Sequence, residues 1–240
     1  MNKKSDGPSR KASRIFTDEE LKEFSKGFME MAIEAIDAGD LEKAKGWCRH
    51  QAEAQGQVHD VLVNFVTGLF SYIYDHEGED SAVDAIRVIM KRIVSPELIA
   101  LRKKDLREWV SWCVEVARQH SADPGITVEE DDEKFILTVK CGSGGKLIET
   151  AAYDGPDGYR KLKKPGPQTW GEVDVPIYCG HCPWASEILP IEIGGQGSQL
   201  WVHASPFPKN PGDPCIHHIY KNPADIPEKY YKRLGMEKTV

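Results

Sequence analysis

The uneven distribution of cysteine and proline constrains this chain more than any other feature of its sequence. Four of the six cysteines and 13 of the 15 prolines lie after residue 123 of the 240 residues. Proline interrupts helices, and grouped cysteines in a chain without secretion signals indicate a metal site rather than disulfides. We therefore predict two structurally different halves that meet near Asp123.

Composition and charge narrow the class of protein. The chain is 40% hydrophobic and carries a formal net charge of −7, which disfavours a nucleic-acid or acidic-membrane binder because phosphate groups would be repelled. The longest apolar run, residues 61–74, is interrupted by polar residues and is too short for a membrane span. The N-terminus is polar and basic and lacks the apolar core of a secretory signal. We expect a cytoplasmic protein with no nucleic-acid and no membrane partner.

The first half has the pattern of a helical bundle. Residues 1–15 are polar and basic and are predicted to form a disordered tail. Thr17 and Glu20 have the spacing of a capping box, and apolar residues then recur at three- and four-residue steps through residues 16–122. This period predicts four or five helices with short connections, one of them beginning at Pro96.

One predicted helix carries the richest apolar stripe of the bundle. Its members recur with the helical period: Val58, Leu62, Phe65, Val66, Leu69 and Ile73. A stripe of this width predicts a central, well-buried helix.

After Gly125 the apolar pattern changes from the helical period to alternation. Residues 126–128 and 135–139 flank an acidic turn and predict a β-hairpin. Further strands are expected over residues 187–193, 200–204 and 215–220, followed by a C-terminal helix that packs Tyr230 and Leu234 on the domain. The predicted fold class is α+β: an N-terminal helical bundle packed on a small antiparallel β-domain, residues 123–240, with a cysteine-rich metal site.

Four cysteines of the second half have the spacing of a metal site. Cys179-Gly-His-Cys182 is a knuckle whose two-residue gap lets both thiolates point at one ion. Cys141 lies 38 residues before this knuckle and Cys215 lies 33 residues after it. A structural zinc is favoured, and the alternatives are a catalytic zinc with an open position, iron or an iron–sulfur cluster, and a redox pair in the knuckle. A histidine is a candidate replacement for one cysteine: His181, His217 or His218.

Four residues are considered for chemistry beside the metal: Glu187, His217, His218 and His59. Glu187 lies in an apolar run, where burial is expected to raise its pKa toward that of a general acid or base. His217 and His218 alternate along the last strand, so one of them faces inward as a ligand, a base or a core residue. His59 is predicted to be a core histidine, with a pocket-lining role beside Asp60 as the alternative.

The order of these motifs resembles that of a known family. The resemblance is to bacterial L-2-amino-thiazoline-4-carboxylate hydrolase-like proteins, and it rests on the helical bundle, the hairpin, Cys-Gly-Ser-Gly-Gly at 141–145, Tyr-Cys-Gly-His-Cys at 178–182, Glu-Ile-Leu-Pro-Ile-Glu at 187–192 and Cys215. It implies a hydrolase that opens a small ring containing sulfur and nitrogen, with Cys141, Cys179 and Cys215 as the matched cysteines. Cys182 and the run Cys215-Ile-His-His depart from the family pattern and favour metal binding.

Two functional hypotheses follow from these residues. The first is a metal-binding hydrolase or lyase that acts on a small molecule between the two halves, with Glu187, His217 and His59 as its catalytic residues. The second is a non-catalytic ligand-binding or sensor module with a structural four-cysteine zinc site, in which the bundle forms a homodimer. An open metal position beside an ionisable residue would favour the enzyme, and closure by four thiolates would favour the module.

Overall fold

The computed structural model describes residues 15–240, excluding the side chains of residues 121–124. The predicted tail lies outside the described residues except for Ile15. The fold is α+β, as predicted, with a large helical N-terminal part and a small antiparallel sheet. Proximity between Cα atoms divides the chain into two compact units, Met1–Val58 and His59–Val240, and the domain boundary at residue 123 stays a prediction.

Among the described residues, five helices precede the sheet: α1 (Asp18–Phe24), α2 (Phe28–Asp37), α3 (Leu41–Glu77), α4 (Glu79–Leu101) and α5 (Leu106–His120). The predicted capping box is confirmed, because Thr17 Oγ1 accepts from the Glu20 N–H at 3.2 Å and the Thr17 N–H donates to Glu20 Oε2 at 2.7 Å. These two bonds satisfy N–H groups that a helix start leaves unpaired. No helix in the described part of the chain is long and apolar enough to cross a membrane.

The prediction that a new helix begins at Pro96 is wrong. Helix α4 continues through this proline to Leu101, and the next helix begins at Leu106. A proline inside a helix costs about 3 kcal/mol through a lost hydrogen bond and a steric clash. Burial of Leu98 and Leu101 beyond the proline opposes that cost, because both side chains join the apolar core.

Most of the apolar stripe that was expected to bury α3 is exposed instead, and only Val66 and Ile73 of its six members pack against the core. Leu62 and Phe65 are each more than half exposed, whereas Val63 and Phe70, on another face of the same helix, are buried. Helix α3 is therefore apolar on two faces. The period of apolar residues in a sequence reveals such a face, but it does not reveal which element, if any, packs against it.

The described strands are, in chain order, β1 (Ser121–Glu130), β2 (Lys134–Cys141), β3 (Lys161–Leu162), β4 (Val175–Pro176), β5 (Trp201–Ser205) and β6 (Cys215–Tyr220). The predicted hairpin is confirmed as β1 and β2, and the last two predicted strands are β5 and β6. The main sheet is antiparallel in the order β1-β2-β6-β5, and β3 pairs with β4 in a separate two-stranded sheet.

Residues 187–193 form no strand, contrary to the prediction. A π-helical turn, Trp184–Ile188, runs into a short helix, Leu189–Gly194. Pro183 precedes this turn with helical dihedral angles, and proline is well suited to the start of a helix, where its missing N–H costs no bond. A short apolar run does not by itself distinguish a buried helix from a strand.

Three short helices complete the described fold: α6 (Gly144–Glu149), α7 (Leu189–Gly194) and α8 (Glu228–Lys232). Helix α6 follows β2 after a turn of two residues. The C-terminal helix is confirmed by α8, and Tyr230 and Leu234 are both buried.

One apolar core joins helices and sheet within the unit His59–Val240. It contains Ile86 of α4, Cys113 of α5, Leu137 of β2, Leu189 of α7 and Ile219 of β6. Because β2 and β6 pack on the same core, the cysteines at their ends are held close together.

Candidate functional site

Three segments of the second unit place four cysteines near enough to shift one another's pKa. Cys141 ends β2, Cys215 begins β6, and Cys179 and Cys182 lie on the helical turn that follows β4. Strands β2 and β6 are paired so that Cys215 lies opposite Val139, two residues before Cys141. All four are free thiols, and we call them the thiol cluster.

Cys141 and Cys215 interact most strongly within the thiol cluster, since each is the largest influence on the other's pKa. Gly144 and Gly145, the first residues of α6, lie beside two of the sulfurs: a Cβ added to Gly144 would lie 2.9 Å from Cys179 Sγ, and one added to Gly145 would lie 3.8 Å from Cys141 Sγ. Glycine is therefore needed at position 144 to leave room for a sulfur atom.

The four thiols strongly affect each other's titration. The hydrogen bond from Cys215 and the backbone N–H groups of Gly145 and Ser143 outweigh burial and lower the pKa of Cys141 to about 6. Its thiol partner shows the reverse, since the hydrogen bond to Cys141 and burial raise the pKa of Cys215. Burial and the proximity of the other cysteines raise the pKa of Cys179 and of Cys182. The cluster thus favours one thiolate and resists further loss of protons.

His181 borders the thiol cluster from inside the knuckle. Its Nδ1 lies 2.5 Å from the Tyr178 carbonyl oxygen, so this nitrogen carries the hydrogen, and its Nε2 lies 3.6 Å from Cys182 Sγ. Burial lowers the pKa of His181 to about 4. Within the described side chains, no three His, Cys, Asp or Glu residues are already arranged to hold a metal ion.

A second polar group lies at the turn between β2 and α6. Ser143 is buried there, and its Oγ lies 2.8 Å from His59 Nε2. The same serine opposes, to a small extent, the rise in the pKa of Tyr178 that burial causes. Next to His59, Asp60 pairs with Lys146 of α6 at 2.5 Å and lies 3.6 Å from His59 Nδ1. His59 therefore bonds a serine at the turn beside Cys141, rather than a backbone carbonyl in the apolar core.

Glu187 belongs to a buried ion-pair cluster, which we define as Glu187, His203, Arg233 and Trp170. Arg233 Nη2 donates to both carboxylate oxygens of Glu187, at 2.6 and 2.8 Å. Glu187 Oε1 also accepts from Trp170 Nε1 and from the His203 N–H, each at 2.9 Å. Arg233 Nη1 donates to the His203 carbonyl at 2.8 Å, so the strand β5 is bound to the same pair.

The expected rise in the pKa of Glu187 is wrong. Burial alone would raise this pKa, but the hydrogen bond from His203 and the charge of Arg233 outweigh burial and hold it below its ordinary value. The sequence identified the apolar surroundings but not Arg233, which lies 46 residues away along the chain. A carboxylate saturated by donors in this way is a poor proton donor at neutral pH.

The prediction that one of the two adjacent histidines faces inward is confirmed. His217 is buried, and its Nδ1 accepts a hydrogen bond from Trp201 Nε1 at 2.9 Å. Burial, together with the neighbouring His203, lowers the pKa of His217 well below its ordinary value, so its ring is neutral. His218 is half-exposed on the other face of β6.

A cavity of about 270 Å³ lies beside α6. Its walls combine apolar and charged side chains, among them Ile148, Phe207, Asp154, Lys161 and Lys209. Two further lining residues, Ala151 and Asp174, have positive φ angles of 56° and 60°. Left-handed backbone at residues other than glycine is strained and is found most often at functional sites. Of the described residues that line the cavity, none is a predicted catalytic residue or a member of the thiol cluster.

Two functional residues escaped the sequence analysis. Arg233 gave no sequence signal, because its role depends on a contact across 46 residues of chain. Ser143 had a weak signal, since it lies between glycines directly after a strand, but the sequence offered no partner for it.

Comparison with known proteins identifies no related family. A scan against protein-family models, a search of curated proteins and a search of solved structures each found no match to the chain.

Proposed function

We propose that this protein is a metal-binding, ligand-binding module in which the thiol cluster holds one structural zinc ion. The observation that carries the proposal is that four free thiols from three chain segments shift one another's pKa, two of them beside Gly144 and Gly145 at the start of α6. The ion would be held by Cys141, Cys179, Cys182 and Cys215. It would tie β2, the knuckle and β6 together in the half of the chain that is richest in loops.

The donor set suits zinc. Four cysteine thiolates are the ligand set that a closed tetrahedral zinc site requires. The backbone N–H groups of Ser143 and Gly145 help to lower the pKa of Cys141, and the same groups would stabilise a metal-bound thiolate there. Binding would require the sulfurs to draw closer, and the three thiols whose pKa is raised would have to release protons, which would make binding weaker at low pH.

Closure by four thiols favours a structural role over a catalytic one. A catalytic zinc keeps one position open for water, whereas four cysteines fill a tetrahedral site. Glu187, the carboxylate that was expected to act beside the metal, is already neutralised by Arg233. A small-molecule ligand would then bind in the cavity beside α6. The metal would affect this cavity by fixing the turn from which α6 begins.

Metal analysis of the purified protein with matched cysteine variants tests this proposal. One zinc per chain is expected in the wild type, and Cys179→Ser should lose it. Cys113→Ser, buried in the apolar core, and Cys48→Ser, exposed on α3, should both retain it. Iron in place of zinc, with visible absorbance, would replace the zinc assignment, and a chain that takes up no metal even from added zinc would contradict the proposal.

A glycine pair gives a test that removes no ligand. Gly144→Ala places a methyl group 2.9 Å from Cys179 Sγ, so it should weaken zinc binding at least tenfold in a competition titration. Gly56→Ala is the control, because a Cβ at that helical position meets open space. Equal zinc affinity in both variants would show that the metal is not bound beside Gly144.

The bond between His59 and Ser143 supports a second candidate function, a serine hydrolase. Ser143 Oγ would attack a carbonyl carbon, its proton would pass to His59 Nε2 and then to the leaving group, and water would release the acyl group from the serine. The serine lies at a strand–turn–helix junction, as an exposed nucleophile would require, but it is buried. This burial places the hydrolase second to the metal module.

The hydrolase is tested with a small activated ester and a serine-reactive phosphonate. Wild-type protein should release p-nitrophenol from p-nitrophenyl acetate and be labelled at Ser143, and Ser143→Ala and His59→Ala should abolish both. Ser111→Ala, at an exposed position of α5, is the matched control. Labelling that persists in Ser143→Ala, or an ester rate equal to that of Ser143→Ala, would exclude this function.

A further inference from the structure

One face of α3 is apolar and exposed. Its side chains are between 45 and 68% exposed: Val61, Leu62, Phe65, Leu69 and Tyr72. We call these five residues the α3 seam. The other side of the helix, with Val63 and Phe70, packs into the core, so α3 is already anchored when it presents the seam. A contiguous apolar surface of this kind on a folded chain marks an interaction site.

The composition of the seam is that of an interface. Residues 61–74 contain no Asp, Glu, Lys or Arg, and the seam includes two aromatic side chains, Phe65 and Tyr72. Interface centres are depleted of charged residues and enriched in aromatic ones. The seam therefore differs from an ordinary solvated helix face, which carries charged residues at every turn.

The spacing of the seam indicates what covers it. Leu62, Phe65, Leu69 and Tyr72 follow one another at steps of three, four and three residues, which is the repeat of the a and d positions of a coiled coil. Side chains with this repeat pack as knobs into the holes of a second helix that has the same repeat. Helix α3 of another copy has that repeat and the same length.

The area of the seam agrees with a second copy. Phe65 and Tyr72 together expose about 250 Å², given the 150–250 Å² of a large aromatic residue, and the three aliphatic side chains bring the seam to about 500 Å² per copy. Two seams together bury about 1,000 Å², which is the lower limit for a specific interface. The two-fold arrangement of a homodimer uses the same patch on both subunits.

From these observations we propose that the protein is a homodimer in which the α3 seams of two copies pack against each other. This goes beyond the metal site, since no seam residue belongs to the thiol cluster. The dimer places two identical β-domains on one helical pair.

Light scattering on the full chain after size exclusion tests the dimer. The wild type at micromolar concentration should have twice the chain mass of 26.9 kDa, and Phe65→Glu should run as a monomer. The control is Ile93→Glu, an exposed apolar residue of α4, which should remain a dimer. Leu62→Gln with Leu69→Gln gives a milder second disruption if Phe65→Glu does not fold.

Several outcomes overturn the dimer. A monomeric wild type would show that the seam is covered by another element or partner, and a dimer that persists in both seam variants would place the interface elsewhere. Zinc content distinguishes this proposal from the metal site: the monomeric seam variants should still bind one zinc per chain if the module proposal holds. Loss of the dimer only together with the zinc would show that the seam variants act through the fold.

Discussion

The thiol cluster and the ion-pair cluster are two buried polar groups that lie on the same stretch of chain. Cys182 and Glu187 are separated by one π-helical turn, and the charge of Glu187 contributes to raising the pKa of Cys182. In the ion-pair cluster a cation and an anion meet in two hydrogen bonds. The thiol cluster instead brings together four thiols, and each of them becomes negatively charged when it loses its proton.

The ion-pair cluster is therefore a complete site, because its charges are paired, whereas the thiol cluster is incomplete without a cation. Burying a charge is tolerated where a partner of opposite charge and enough hydrogen bonds accompany it, as with Glu187 and Arg233. Buried thiols gain little from each other, and a bound cation would convert their repulsion into attraction. The protein should therefore depend on Arg233 under all conditions, and on the cysteines when metal is present.

The largest expected effect comes from breaking the complete site. Arg233→Ala leaves the fully buried Glu187 without its cation, and removing one partner of a buried ion pair costs up to about 5 kcal/mol. Chemical denaturation should show this loss as a lower midpoint with an unchanged slope. Glu187→Gln in the Arg233→Ala background should recover part of it, because the unpaired charge is then gone.

The adjacent residue is the control for Arg233. Lys232 pairs with Glu228 at 3.1 Å on the exposed face of α8, and exposed pairs contribute less than about 1 kcal/mol. Lys232→Ala should therefore leave stability almost unchanged. A similar loss in the two variants would show that α8, rather than the buried pair, is responsible.

The second expected effect comes from binding zinc to the thiol cluster. Zinc at 100 times its dissociation constant should stabilise the wild type by about 2.7 kcal/mol, because it binds the folded state. Arg233→Ala should gain the same increment from its lower starting point, while Cys179→Ser should gain none. Thermal unfolding with and without zinc measures all three. An equal zinc effect in Cys179→Ser would place the ion outside the thiol cluster.

Acid should destabilise the ion-pair cluster through His203. Burial lowers the pKa of His203 despite its bond to Glu187, and Arg233, His217 and Ser186 are its other polar neighbours. The unfolded histidine binds a proton near pH 6.5 and the folded one does so only at lower pH, so stability is fully present above pH 6.5 and falls below it.

The fall amounts to about 1.4 kcal/mol for each unit by which the pKa is displaced. Between pH 7 and 5 the stability of His203→Gln should change less steeply than that of the wild type. His50→Gln, at an exposed histidine, should keep the wild-type slope. Glu187 contributes at lower pH, because its depressed pKa gives stability that is lost only below about pH 4.5. Identical slopes in all three proteins would exclude His203 as the source.

The sequence predicted the parts of the fold that are encoded locally. The capping box at Thr17, the hairpin and β6 all depend on neighbouring residues, and each is confirmed. The convergence of the four cysteines followed from their residue type, because free thiols in one domain share few other uses. Glu187 shows the limit of prediction from local sequence. Its pKa and its ion pair depend on Arg233, which follows α8 and lies 46 residues further along the chain. The α3 seam shows another, because an apolar face does not state whether the same chain or a second copy covers it.

The smallest expected effect concerns α6, which begins at the thiol cluster and ends at the cavity. Its last turn closes with the Ala151 N–H donating to the Ile148 carbonyl at 3.0 Å and the Ala152 N–H donating to the Leu147 carbonyl at 2.9 Å. This is a Schellman motif with alanine, at φ 56°, in the place that glycine usually takes.

Ala151→Gly should stabilise the protein by up to about 1 kcal/mol, because relief of the left-handed strain exceeds the added entropy of the unfolded glycine. Ala52→Gly, at an exposed position in the interior of α3, should destabilise it by about the same amount, and denaturant midpoints compare the two. If the strain at Ala151 serves the cavity, the gain in stability should come with weaker ligand binding, whereas a structural strain would leave binding unchanged. The opposite signs of the two alanine variants separate backbone strain from ordinary helix propensity, and a loss of stability in both would show that position 151 carries no strain.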